Sequence, residues 1–215
     1  MGNQGNVDNS GDNNSPEEGE TFEVTLTAGE GYKIVADDVS YNADKNHWTA
    51  SVEKDSTFTF SIELGAFYTG TPTVTMDGVS LSASEDGKYS VTVTKDCEVA
   101  IKDIKKATSK IASTGTGAID SAYMIREPID LVYIAEQVNA GKGNYARAYY
   151  ILENDIDCKG EEISVIGTEE YPFSGCFTCL TDSATSEMTR HTISNFKINA
   201  TDKNYVGLFG CVQVD

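Results

Sequence analysis

A chain of 215 residues with 39% hydrophobic and 23% charged side chains has enough apolar material for one large core or two ordinary ones. Its 34 acidic against 16 basic side chains give a formal charge of -18, which repels phosphate backbones and anionic lipid head groups and argues against nucleic acid or membrane surfaces as partners. No stretch of 18 apolar residues occurs and no charged-then-apolar leader opens the chain, so the sequence offers no membrane span, and export would require a leader already removed.

Residues 1–20 hold Val7 as the only aliphatic side chain after Met1 and five acids without a base, Asp8, Asp12, Glu17, Glu18 and Glu20. Such a segment buries too little to offset its ordering entropy and reads as a disordered acidic tether. A calcium loop counted from Asp8 fails because Asn13 stands where glycine is needed. A myristoylation start fails because Asn6 stands where Ser or Thr is needed.

Residues 21–105 alternate with period two: Phe22, Val24 and Leu26; Phe58, Phe60, Ile62 and Leu64; Tyr89, Val91 and Val93; Val99 and Ile101. Turn signals at Gly29-Glu30-Gly31, Asn42-Ala43-Asp44, Asp77-Gly78 and Asp86-Gly87 separate the runs. About seven short strands without helical periodicity predict an antiparallel sandwich, with Trp48 as a core anchor and Pro72 at a strand start or edge. The stretches "GEGYKIVADD", "STFTFSIELGAFYTGTPTVTMDG" and "DGKYSVTVTKDCEVAIKDI" resemble the immunoglobulin-like repeats of large bacterial cell-surface proteins. That resemblance implies a spacer or adhesive module with no catalytic residues of its own.

Residues 106–119, "KATSKIASTGTGAI", are small and polar, as a linker should be. Next, Pro128 suits a first helical turn, while Leu131, Val132, Ala135 and Val138 form an apolar stripe. Gly141 is placed for a left-handed cap, predicting one helix over about 128–140. Only strand-like pieces follow: "AYYIL", "EISVIG", "FSGCF", "TISNFKI" and "YVGLFGCV".

Two of these pieces align glycine on glycine. Gly175 over Gly210 puts Phe173 on Leu208, Cys176 on Cys211 and Phe177 on Val212, a spacing of 35 that predicts stacked coils. In that register Gly175 and Gly210 make the corners, and Cys176 and Cys211 become neighbours on adjacent rungs. The pair is then open to packed free thiols or a disulfide, and Cys176-x-x-Cys179 with Cys158 and Cys211 leaves a metal reading open as well. Two coils fall short of the roughly three that stability requires, so the sequence is expected to be part of a longer chain.

The order "IDLVYIAEQVNAGKGNYARAYYILENDIDCKG", "ISVIG", "YPFSGCF", "HTISNFKIN" and "YVGLFGCV" resembles the GLUG-motif proteins over residues 122–214, although "FTCLTDSATSEMTRH" replaces the usual turn. What the resemblance implies for residues 120–215 is the start of a right-handed parallel β-helix whose helix covers the open end.

Asp155 and Asp157 share one side of a strand and could be an acid pair for polysaccharide cleavage, but no basic partner beyond Lys159 accompanies them. His47 and His191 fall in different halves of the chain, so no Ser-His-Asp or Cys-His set can be assembled. The sequence therefore predicts an all-β, non-enzymatic module without cofactor or metal. It is expected outside the cell, anchored at a bacterial surface, monomeric, and binding a host or matrix protein or a glycan. The alternative is the non-catalytic front part of a β-helical carbohydrate-active enzyme.

Overall fold

The computed structural model of the protein describes residues 19–179, 189–199 and 206–214. The body of the expected tether, residues 1–18, lies outside them, as do residues 180–188 of the unusual turn and the start of "NYVGLFGCV". The chain is built mainly of strands, as the alternation predicts.

The first part holds β1 (Thr21–Thr27), β2 (Tyr32–Val35), β3 (Val39–Asn42), β4 (His47–Glu53), β5 (Thr57–Leu64), β6 (Tyr68–Thr69), β7 (Thr73–Met76), β8 (Val79–Leu81), β9 (Lys88–Thr92), β10 (Cys97–Lys102) and β11 (Lys105–Lys106). These make a six-stranded sheet ordered β3-β4-β1-β10-β7-β8, a three-stranded sheet ordered β2-β5-β9, and the short pair β6-β11. Val24, Leu26, Val74 and Val99 from the larger sheet and Ile34, Phe60 and Val91 from the smaller bury into one cluster, so the two sheets share a core. Trp48 packs at the edge of that cluster, half-buried against Tyr41 with ring centroids 4.9 Å apart. At the β7–β8 turn Asp77 and Gly78 both have positive φ, 48° and 83°, the two-residue geometry that an Asp-Gly signal specifies.

Two expectations need correction here. More than seven strands form, because several runs break at turns into two short pieces. The larger sheet is not wholly antiparallel: β1 and β10 run parallel, with Val24 opposite Cys97 and Leu26 opposite Val99. The chain between them folds into β2 to β9, a connection long enough to return β10 in the same direction.

The second part holds a 3₁₀ turn (Ile111–Ser113), β12 (Tyr123–Ile125), α1 (Pro128–Asn139), α2 (Gly143–Ala146), β13 (Tyr149–Leu152), β14 (Ile156–Asp157), β15 (Cys176–Cys179) and β16 (Ile193–Ser194). Among the described residues the named strands here pair in parallel, with one antiparallel bridge at Ala118–Ser121. On one wall β12, β13 and β15 lie side by side, so that Tyr123, Tyr150 and Phe177 occupy matching positions 27 residues apart. On a second wall β14 pairs with β16, and single bridges follow at Glu162–Lys197, Ile166–Phe209 and Phe173–Val212. Matching side chains stack inward as an aromatic ladder, with centroids of Tyr123 and Tyr150 5.6 Å apart and those of Tyr150 and Phe177 6.3 Å apart.

Helix α1 forms as its sequence predicts. Ile129, Leu131, Ile134, Ala135 and Val138 are buried on one face. Gly141 adopts φ +75°, its N–H bonding Val138 O while Lys142 N–H reaches Gln137 O, the paired bonds of a left-handed helix end. Its place differs from expectation, however. The helix is the crossover between β12 and β13 rather than a plug ahead of the first coil. The outer edge of β12 is met instead by Thr114, whose Oγ1 accepts Met124 N–H at 2.8 Å.

The parts meet without a loose connection. Phe67, from the loop after β5, packs against the second core, and its carbonyl accepts Ala107 N–H at 2.8 Å. Ile111, within the stretch expected as a linker, is 1% exposed in that same core. Small polar composition signalled a connection; one isoleucine and the β6–β11 pairing make it a stiff one.

Candidate functional site

The register revises the cysteine and glycine assignments first. Gly210 matches Gly167, not Gly175: Ile166 bridges Phe209, Gly210 N–H bonds Ile166 O at 3.0 Å, and Phe173 bridges Val212. Cys176 consequently stands opposite Tyr149, while the Cys211 carbonyl accepts Phe173 N–H at 2.9 Å. The expected neighbouring pair Cys176 and Cys211 is therefore not formed, and all five cysteines are free thiols.

Nor do Gly175 and Gly210 turn corners, since neither has positive φ; Gly167, at φ +86°, does. Their role is close approach. A Cβ on Gly175 would strike the Ala148 carbonyl, and one on Gly210 would lie 2.5 Å from the Gly167 carbonyl. Cys176 and Cys179 sit at opposite ends of a four-residue strand, about 10 Å apart along the backbone and on opposite faces. That separation is too wide for a mutual disulfide.

Asp155 and Asp157 both accept hydrogen bonds from residues flanking β16. Asp155 Oδ1 accepts Thr192 N–H at 2.7 Å and lies 3.4 Å from His191 Nδ1. Asp157 Oδ1 accepts Lys159 N–H and an Asn195 Nδ2 hydrogen, both at 2.9 Å. The backbone donor of Lys159 and then the Asn195 amide favour its charged form and hold its pKa below the ordinary carboxylate value. A depressed folded pKa contributes stability above the unfolded value, about 3.9, and loses it as pH falls through the folded value. Asp157→Asn is thus expected to lower the thermal midpoint at neutral pH, with the gap to the parent closing upon acidification. A gap independent of pH would contradict this role.

The cavity with the most varied chemistry lies where the two parts touch, and sequence reasoning missed it because its residues are up to 131 positions apart. It is a cleft of about 450 Å³ lined by Glu30, Tyr32, Lys33, Glu63, Tyr68, Lys159 and Glu161, among others. The sharp turns that bring them together are legible locally. Gly31 has φ +84°, and any Cβ there would collide with the Tyr68 ring, so the glycine of "GEGY" lets that ring lie on the backbone. A Cβ on Gly29 would likewise come within 2.9 Å of Tyr32 Cε1.

Tyr32 donates its hydroxyl to Thr27 O at 2.8 Å, and burial pushes its pKa up, so it stays a neutral donor. Lys33 pairs with Glu63 at 3.0 Å. Across the cleft, Lys159 is held at φ +50°, and its Nζ donates to Leu64 O at 2.9 Å, tying the second part to the first. The carboxylates of Glu30 and Glu161 make no hydrogen bond or ion pair with any described residue. A second depression of about 450 Å³ shares Glu30, Tyr32 and Tyr68 and is edged by Lys102, Lys105 and Lys106.

Among the described residues, no group of three or more His, Cys, Asp or Glu is placed to hold a metal ion, and no helix is long and apolar enough to cross a membrane. Compared with protein-family models, with curated proteins and with solved structures, the chain matches none of them.

Proposed function

We propose that the chain is a non-enzymatic module of the bacterial cell surface, an immunoglobulin-like sandwich joined stiffly to the start of a right-handed parallel β-helix, which presents a binding surface to a host or matrix protein or to a glycan. One observation carries the reading: the junction is rigid and concave at once. Phe67 and Lys159 lock the parts together, and the cleft beside them offers rings, unpaired carboxylates and ammonium groups. Rigid spacing of a recognition surface from an anchor needs such a joint, since a flexible one forfeits orientation.

The acidic surface suits a soluble extracellular location, with neither nucleic acid nor membrane as partner. The module acts as a monomer in this reading. Incubation of the protein with an array of glycans and matrix proteins is expected to give saturable binding, with no shortening of any bound polysaccharide. Hydrolysis or elimination products in the same samples would instead favour the front part of a β-helical carbohydrate-active enzyme.

A further inference from the structure

We infer that the cleft between the two parts is a subsite for a neutral oligosaccharide, with Tyr68 and Tyr32 as its ring platform and Glu30, Glu161 and Lys159 as its polar rim. This inference rests on the display-and-binding reading above and names the ligand class and place.

The volume falls within the roughly 300–1,000 Å³ of small-ligand sites. Both tyrosines are half-buried and backed by glycine, Tyr68 on Gly31 and Tyr32 on Gly29, so the rings are fixed by the backbone rather than ordered at the moment of binding. The weakly positive C–H face of a pyranose complements the negative face of such a ring. Sugar hydroxyls are donors as well as acceptors. Glu30 and Glu161 offer acceptor oxygens that no described residue uses, and the Lys159 ammonium, one hydrogen committed to Leu64 O, retains two donors.

Charge decides between classes of sugar. Glu30, Glu63 and Glu161 outnumber Lys33 and Lys159 on the cleft wall, and the chain as a whole carries -18, so uronic acids and sulfated or phosphorylated glycans are repelled. Lys33 is also paired with Glu63, so Lys159 is left beside the unpaired carboxylates of Glu30 and Glu161 on the cleft wall.

The test titrates the full ¹⁵N-labelled chain with maltotriose, cellotriose and β-1,4-mannotriose, and in separate arms with trigalacturonate and trilysine. Backbone amides of Gly31, Gly65 and Tyr68 are expected to shift with at least one neutral trisaccharide and to saturate in the millimolar range. Tyr68→Ala and Glu161→Gln should each weaken that binding about tenfold, whereas Tyr68→Phe should retain it. Should Tyr68→Ala lose its spectral dispersion, the isosteric rim variant Glu161→Gln, at a half-buried position, carries the test alone.

A response of those amides to trigalacturonate or trilysine only, or to none of the probes, overturns the inference. Array binding with shifts elsewhere would sink the cleft as a subsite and leave the display reading standing. Cleavage of a trisaccharide that shifts the cleft amides would do the reverse.

Discussion

Replacing Tyr150 by alanine is expected to destabilise the second core by about 3–5 kcal/mol, since it is the largest fully buried side chain among the described residues. Its ring is wholly buried, the middle rung of the ladder between Tyr123 and Phe177, with Phe173 6.0 Å away. Truncation opens a cavity that neighbours on fixed parallel strands cannot fill, because their spacing is set by backbone hydrogen bonds. The hydroxyl adds a smaller share. It donates to Tyr145 O at 2.8 Å, and burial raises its pKa so that it remains a donor. Tyr150→Phe is therefore expected to cost only about 1 kcal/mol. Thermal unfolding followed by near-ultraviolet tyrosine dichroism reads the second core, and fluorescence of Trp48 reads the first. A midpoint for Tyr150→Ala no lower than that of Tyr150→Phe would refute the ladder as a source of stability.

Asp130→Ala is expected to cost about 3 kcal/mol, comparable to a core truncation although only polar atoms are lost. Asp130 is 4% exposed, the only buried charged-type side chain among the described residues. One oxygen accepts the Ser109 hydroxyl at 2.6 Å, and the other accepts the N–H groups of Arg126 and Glu127 at 2.9 and 3.1 Å. Removing it leaves three donors without a partner inside the structure, the costly direction of a hydrogen-bond deletion. The same residue fastens the stretch before β12 to the first turn of α1. Amide exchange should therefore accelerate around Ser109–Ile111 as well as in the helix, and Asp130→Asn should retain part of the protection. Acceleration confined to the helix would mean that Ser109 is held by something else.

Alternation disclosed the first core almost residue by residue, because an edge-to-centre strand with one wet face writes its burial directly into period two. The helix was equally plain: Pro128, the apolar stripe and Gly141 each have a local physical cause. The stacking of the second part was harder to see. Between β13 and β15 matching residues lie 27 apart, yet on the following walls the interval becomes 37, 35, 43 and 39, since the successive passages of chain differ in length. A glycine-on-glycine comparison at 35 set a false register, pairing Gly210 with Gly175 when Gly167 is its counterpart. Asp130 and the cleft were illegible for a different reason. Each depends on groups from separate segments, Ser109 with Arg126 in one case and Gly31 with Lys159 in the other, and no local pattern encodes that meeting.

The parallel pairing of β1 with β10 has a mechanical meaning. Because the two strands point the same way, the chain enters at the tail of one, Thr21, and leaves at the head of the other, Lys102. Tension applied between those points slides one strand along its neighbour and strains their hydrogen bonds all together, whereas a hairpin pulled at its open end peels apart one bond at a time. A force entering at Thr21 and leaving at Lys102 thus loads the β1–β10 contact in shear.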